Sequence, residues 1–308
     1  MYLVSVSRET FIIMENLSVC PKCNNSDFEL YHQCTDFTVT GQVFNIINCT
    51  KCQFKFTNPR PDSIEINKFY QSNNYISHSN SNKGLFNKAY HFIKKIAITK
   101  KIKLIESLGA TNKNILDIGC GTGSFLGAIK NHGWSVSGIE PNKTAMDLAT
   151  NNFGFPIYEE DGIKSFPKAS FSVITMWHVL EHVHLLKQRI HDIYNLLETD
   201  GFAIIAVPNH TSWDAQYYNK YWAAYDVPRH LYHFSPETIK ELFIEQKLEH
   251  VHSIGMKYDS FYISLLSEKY KNSIMIFIKA LLIGWYSNFK TKNNPEKYSS
   301  VIYIFQKK

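Results

Sequence analysis

The run Asn114-Ile115-Leu116-Asp117-Ile118-Gly119-Cys120-Gly121-Thr122-Gly123-Ser124-Phe125-Leu126 constrains this chain more than any other stretch. Ile115 to Ile118 reads as a short buried strand. Glycines at 119, 121 and 123 then make a turn free of Cβ atoms. Ser124 is placed to cap a helix whose apolar face is Phe125, Leu126 and Ile129, running to about His132. A strand, a bare turn and a helix N-terminus bring backbone up against a ligand at the end of a parallel sheet. An α/β fold is therefore expected.

The glycine register is G-x-G-x-G, which differs from the G-x-G-x-x-G of dinucleotide-binding turns. Asp117 stands two residues before the first glycine. A carboxylate there is awkward beside a pyrophosphate and suited to a cationic amino-acid moiety. The stretch D-I-G-C-G-T-G at 117–123 resembles the first motif of the class I S-adenosylmethionine (SAM)-dependent methyltransferases, of the type 11/23 kind related to the ubiquinone-pathway enzymes. The resemblance implies a Rossmann-like, seven-stranded methyltransferase sheet whose last strand is antiparallel. It also implies that Asp117, with Gly119, Cys120, Gly121 and Gly123, holds the methionine end of SAM.

Further motifs follow at strand ends. Val136–Glu140 reads as the second strand, and Glu140, 21 residues after Gly119, can accept both ribose hydroxyls. NAD enzymes place an acid similarly, so Glu140 alone does not separate the cofactors. Pro141 and Asn142 lead into a helix over 143–152. Residues 157–161 read as a third strand, and by resemblance Asp161, followed by Gly162, bonds the adenine amino group. Residues 171–176 form the fourth strand and run into Trp177-His178, which the resemblance places beside the transferred methyl. A helix over 185–197, a turn at Asp200-Gly201, strands over 202–207, 248–257 and 299–306, and a helical insertion over 258–297 complete the domain.

Upstream, Cys20-Pro21-Lys22-Cys23 and Cys49-Thr50-Lys51-Cys52 are separated by 25 residues. Two such knuckles supply four soft ligands for a tetrahedral structural zinc, and residues 28–31 and 43–48 between them read as strands, so a zinc ribbon is expected. Four reduced structural cysteines are the alternative. Four thiolates leave no open position for catalysis. The domain reading is an extension over 1–18, the ribbon over 19–61, a linker and N-terminal helix over 62–110, and the methyltransferase domain over 111–308. The lysines of the helix over 85–108 read as a solvated face, and the aromatics of the embedded pairs Phe69-Tyr70 and Tyr75-Ile76 as docking points.

Two places offer catalytic chemistry. The loop 221–235 carries D-V-P-R-H-L at 226–231, resembling a subgroup of these methyltransferases, and His230 is the candidate base, with Arg229 or His230 as a loop anchor in the alternative. His178, Glu181 and His182 share a face if helical and could bind a metal. Enzymes of the ubiquinone pathway and small-RNA 2′-O-methyltransferases carry Glu where His178 stands, so a magnesium site is disfavoured. Glu181 and His182 then orient the helix start.

Composition narrows the partners. Net charge is +6 with scattered lysines, too diffuse to argue for nucleic acid. Residues 20–52 hold Lys22 and Lys51 against Asp27, Glu29 and Asp36. Residues 1–7 lack the basic start of a secretory leader, and paired CxxC motifs suit a cytoplasmic chain. Residues 273–286 are apolar but short for a span and contain Lys279, which suits a buried or interfacial helix and leaves peripheral membrane contact open. The expected function is methyl transfer from SAM to a small-molecule or carrier-linked acceptor, a sugar, a quinone precursor or another metabolite, through O or C, by a monomer or homodimer. The alternatives are an RNA methyltransferase gripping its substrate with the ribbon, or a SAM-binding protein without turnover.

Overall fold

Apolar residues on both faces of the 114–118 segment dictate a strand covered on both sides. The computed structural model, which describes residues 2–6, 10–70 and 85–308, places it at the centre of a seven-stranded sheet. The Tyr75-Ile76 pair, whose aromatic ring is expected to dock, lies outside the described residues. In chain order the elements are β1 (Tyr2–Val6), β2 (Thr10–Glu15), β3 (Phe28–Thr35), β4 (Val43–Cys49), β5 (Lys55–Thr57), β6 (Arg60–Pro61), α1 (Leu85–Ser107), β7 (Asn114–Ile118), α2 (Ser124–Lys130), β8 (Ser135–Ile139) and α3 (Lys143–Phe153). They continue as β9 (Ile157–Tyr158), β10 (Phe171–Trp177), α4 (Leu186–Leu196), β11 (Leu197–Pro208), α5 (Trp213–Tyr218), β12 (Tyr232–His233) and α6 (Pro236–Glu245). The last are β13 (Leu248–Gly255), α7 (Asp259–Tyr270), α8 (Ile276–Lys290) and β14 (Ser300–Lys307).

The large sheet runs β13-β14-β11-β10-β7-β8-β9. β14 is antiparallel to both neighbours, and the pairs among β7 to β11 are parallel. Period-two alternation divides its core. Ile115, Val173 and Ile204 pack on one face with Ile102, Ile105, Phe125 and Ile129 from α1 and α2. Leu116, Ile174, Met176 and Ile205 pack on the other with Ile190, Ile193, Ile239 and Leu242 from α4 and α6. Asp117 and Thr175 are opposite each other in the β7/β10 register and belong to the first face.

The cysteine-rich segment forms a second sheet of order β12-β5-β4-β3. Its fourth strand comes from the 221–235 loop, where Tyr232 and His233 pair with Phe56 and Lys55. Phe54 and Phe56 enter the same core as α4 and α6, so the ribbon is packed into the α/β body. Before the ribbon, where the sequence carries no clear signal, β1 and β2 pair antiparallel, and β2 pairs Glu15 with Arg60 of β6, reinforced by a 2.5 Å ion pair.

Three local expectations change. Ser124 does not cap α2: Gly123 occupies that position in a left-handed conformation with no side-chain cap, and the Ser124 hydroxyl instead accepts from Lys94 at 3.0 Å. The third strand stops at Tyr158, and residues 160–165 form a 3₁₀ turn. The 62–83 segment is not all linker, because residues 65–70 form a 3₁₀ helix that buries Ile66 and Phe69. At the start of α6, Ser235 and Thr238 form a reciprocal capping box with Pro236 in the first turn.

Candidate active site and four-cysteine centre

The turn after β7 needs its glycines. Gly119 and Gly121 have φ of 74° and 56°, and a Cβ on Gly119 would lie 2.4 Å from Val179 Cγ2. A Cβ on Gly123 would meet Ala149 at 2.9 Å. Cys120, buried, packs its sulfur where a Cβ on Gly138 would stand, closing the first turn against β8.

Asp117 is buried, and its Oδ1 accepts a 2.6 Å hydrogen bond from Thr175 Oγ1. Burial pushes its carboxyl up to about 7, against the bond from Thr175 and the attraction of Lys101. Glu140 is also buried; its Oε2 accepts from Gly121 N–H at 2.8 Å and its Oε1 from Asn142 N–H at 2.9 Å. One carboxylate thus spans the glycine turn and the start of α3, while Pro141 stays exposed on the rim. Asp161 was placed by sequence at a strand end; it lies instead in the exposed 3₁₀ turn, 2.8 Å from Lys164 Nζ. Gly162 is required there, because a Cβ would lie 2.5 Å from Tyr158 Cβ.

At the tip of β10, the Trp177 ring meets Phe125 edge-on. Lys101 Nζ lies 4.1 Å from the Trp177 ring centre and 5.6 Å from that of Phe125. Burial lowers the Lys101 ammonium to about 8, against the attraction of Asp117 and Asp259. The helix expected to present only solvated lysines therefore turns one inward. Its position shows that this rim accommodates a cation between an aromatic face and a buried carboxyl.

His178 has φ of 58°. Its Nε2 is 3.2 Å from Asp259 Oδ2, at the start of α7, and its Nδ1 3.5 Å from Glu181 Oε1. Burial disfavours its charge, but the bonds to Asp259 and Glu181 win and raise the imidazole to about 10. Glu181 is wholly buried, and among the described residues its oxygens have no closer polar partner than His178, at 3.5 Å. His230 Nε2 stands 4.0 Å from Glu181 Oε1 and 3.9 Å from Asp226 Oδ2. Its Nδ1 is 2.8 Å from the Ala224 carbonyl, so Nδ1 carries a proton that it donates there. His182 packs edge-on against His230, and burial with that neighbour pushes it down to about 4. Among the described residues, the set here whose ligand atoms lie within 4.8 Å of one another is Glu181, His182 and His230, rather than the trio with His178 that the spacing offers as a possibility. Residues 180–182 form a 3₁₀ turn, and Glu181 is directed into this cluster instead of capping a helix.

The loop bearing His230 is fixed by Arg229. Its guanidinium donates twice to Asp226, at 2.6 and 2.9 Å, and once each to Asp36 Oδ1 at 3.2 Å and the Phe69 carbonyl at 3.0 Å. Thr57 of the ribbon donates to the His230 carbonyl at 2.8 Å. Spacing in the sequence revealed neither Lys101 nor Asp259 nor these cross-links, because the partners are up to 193 residues apart.

Cys20, Cys23, Cys49 and Cys52 converge, all four sulfurs lying within 4.8 Å of one another. The Cys20–Cys52 and Cys23–Cys49 separations are 3.6 and 3.5 Å. A tetrahedron with metal–sulfur bonds of about 2.3 Å has edges of roughly 3.8 Å, so the sulfurs fit a zinc ion and are too far apart for disulfides. The cluster is consistent with a zinc ribbon.

Comparison with known proteins decides the family. Residues 91–253 match the model of a methyltransferase domain, more than half of the chain. The chain belongs to that methyltransferase family. This SAM-dependent methyltransferase is 31% identical over 116 residues to the ubiquinone biosynthesis O-methyltransferase of Glaesserella parasuis, covering 34% of this chain and 49% of that protein. It is 27% identical over 206 residues to the enzyme of that name from Rickettsia typhi, covering 60% of this chain and 79% of the other. The methyltransferase spans about half the length of the first of these curated relatives. Among solved structures, a provisionally assigned sarcosine dimethylglycine methyltransferase from Galdieria sulphuraria superposes with a TM-score of 0.51 at 11% identity, covering 68% of this chain and 85% of that one. A SAM-dependent methyltransferase from Archaeoglobus fulgidus gives 0.49 at 20% identity, covering 69% and 94%.

Proposed function

We propose that this chain methylates an oxygen or carbon nucleophile on a small-molecule or carrier-linked acceptor, with His230 as the base. The observation that carries the proposal is the convergence, at adjacent strand tips, of the Asp117–Glu140–Trp177 rim and the Glu181–His182–His230 cluster. SAM, when bound, supplies an electrophilic methyl group on a sulfonium. Asp117 binds the ammonium of its methionine end, and the glycines at 119, 121 and 123 let backbone approach it. Glu140 receives the ribose hydroxyls. Asp161 can reach the adenine only by leaving Lys164, and an exposed pair of that kind costs little to part. Trp177 offers a π face to the cation.

The acceptor side follows from the histidines. His178 is held as a cation at neutral pH by Asp259 and Glu181, so it orients or neutralises rather than accepts a proton. His230 keeps Nδ1–H on the Ala224 carbonyl, which leaves Nε2 to take a proton between two carboxylates. His230→Ala is expected to lower kcat by about 10²–10⁴-fold with SAM affinity unchanged. Equal loss of both would make the residue a structural one. A screen of metabolites, free and lipid-carried, for product labelled from methyl-labelled SAM tests the acceptor class.

The four cysteines hold structural zinc in this reading, and the metal makes β3–β5 a platform for the catalytic loop. Metal analysis is expected to find about one zinc per chain, and Cys49→Ser to remove it and lower the melting temperature. Retention of zinc by that variant would refute the centre. The ribbon's charges lend the RNA alternative little support, although Lys51 is exposed. Lys22 is buried and paired with Glu241 at 2.7 Å, and buried Lys55 donates to Asn48.

A further inference from the structure

We propose that the outer face of α8 seats this protein on the surface of an anionic phospholipid bilayer. α8 inverts the usual amphipathic helix. Its inner face carries small residues: Ala280, Gly284 and Ser287 are buried. Gly284 lies against Phe261 of α7, where a Cβ would meet a ring carbon at 2.7 Å, and its carbonyl accepts from Ser260 at 3.1 Å. Ser287 donates to the wholly buried Asp214 at 2.8 Å, which also receives Ser299 and Trp222. Small residues at this spacing let two helix backbones approach closely.

The bulky residues therefore remain outside. Phe277, Ile278, Leu281, Leu282, Trp285 and Phe289 are each 52–71% exposed, and Ile274 at the α7–α8 tip is 82% exposed. They recur at helical spacing and form one continuous stripe, far from the scattered single apolar residues of an ordinary surface. The helix is held too firmly by Asp214 and α7 to roll this stripe inward.

Charge chooses the occupant. From Lys271 to Pro295 the chain has four lysines and no Asp or Glu, and Lys279, Lys290 and Lys292 are exposed. A second copy of this face would bring lysines against lysines with no carboxylate to meet them. An anionic bilayer offers acyl chains to the stripe and phosphates to the lysines. Fifteen helical residues span about 22 Å, less than the roughly 30 Å of a hydrocarbon core, so α8 lies along the interface. Among the described residues no helix is long and apolar enough to cross. α7, the other arm of the hairpin, begins at Asp259, which holds His178, so the face on the bilayer adjoins the reaction site.

Co-sedimentation of the full chain with vesicles tests this. Mixed phosphatidylglycerol and phosphatidylcholine vesicles are expected to pellet the protein, and phosphatidylcholine alone to bind it at least about tenfold more weakly. Leu281→Ser with Trp285→Ser, and separately Lys279→Glu with Lys290→Glu, are each expected to weaken pelleting by about tenfold or more, with SAM affinity unchanged. Because that affinity is read separately, failure here is distinct from failure of the methyltransferase reading. Equal binding to both vesicle types would overturn the proposal. So would no pelleting at all, or a dimer in sedimentation velocity that the serine pair converts to monomer.

Discussion

Asp117→Asn is expected to weaken SAM binding by roughly 30–150-fold, the equivalent of about 2–3 kcal/mol for a lost charge-assisted hydrogen bond. The substitution keeps shape and the Thr175 contact while removing the charge. It should not unfold the chain, since a carboxyl pushed up to about 7 by burial gains nothing for the empty fold by ionising. The pH dependence carries a second signature. In the empty site Asp117 is protonated below about 7, whereas the bound ammonium requires the carboxylate. Binding therefore expels a proton at low pH. Affinity should rise up to about tenfold per pH unit below 7 and level off above it. Titration calorimetry across pH 5.5–8.5, in buffers of different ionisation enthalpy, reads both affinity and proton release. A flat profile, or an Asn variant that binds as well as the parent, would remove Asp117 from the cofactor site.

Features decided by neighbours in the chain were legible in the sequence. The glycine turn follows from steric exclusion at Gly119. The four cysteines needed only two knuckles of fixed spacing. Features decided by tertiary contact were not legible. Lys101 looks like any lysine of a basic helix until α1 docks beside Trp177. Asp161 read as a strand end, yet only Ile157 and Tyr158 pair with β8, and Gly162 lets the chain curl early. The apolar run over 273–286 read as buried or interfacial because hydropathy does not say which face is small. Ala280, Gly284 and Ser287 settle that only once α7 is in place.

Arg229→Met is expected to cost about 3–5 kcal/mol, because it leaves the carboxylates of Asp36 and Asp226 without their cation. Asp36 is wholly buried and also accepts from the backbone N–H groups of residues 38–40, which holds its carboxylate within the β3–β4 turn. One guanidinium joins that turn, the Phe69 carbonyl and Asp226 of the loop that bears His230. Losing it should detach β12 from β5 as well as lower the melting temperature. His230 would then lose its fixed place beside Glu181. Turnover should fall by at least about tenfold in the molecules that remain folded, while SAM affinity, which the proposed function assigns to the tips of β7 and β8, stays within a few-fold. Arg229→Lys is not expected to rescue, since an ammonium cannot reproduce the paired bonds to Asp226 and still reach Asp36. Hydrogen exchange provides the discriminating measurement. Amides of Thr57 and His230 should lose protection together in the Met variant, with those of β7 unaffected. Retained protection at Thr57 would mean that the ribbon and the loop bearing His230 stay joined without this arginine.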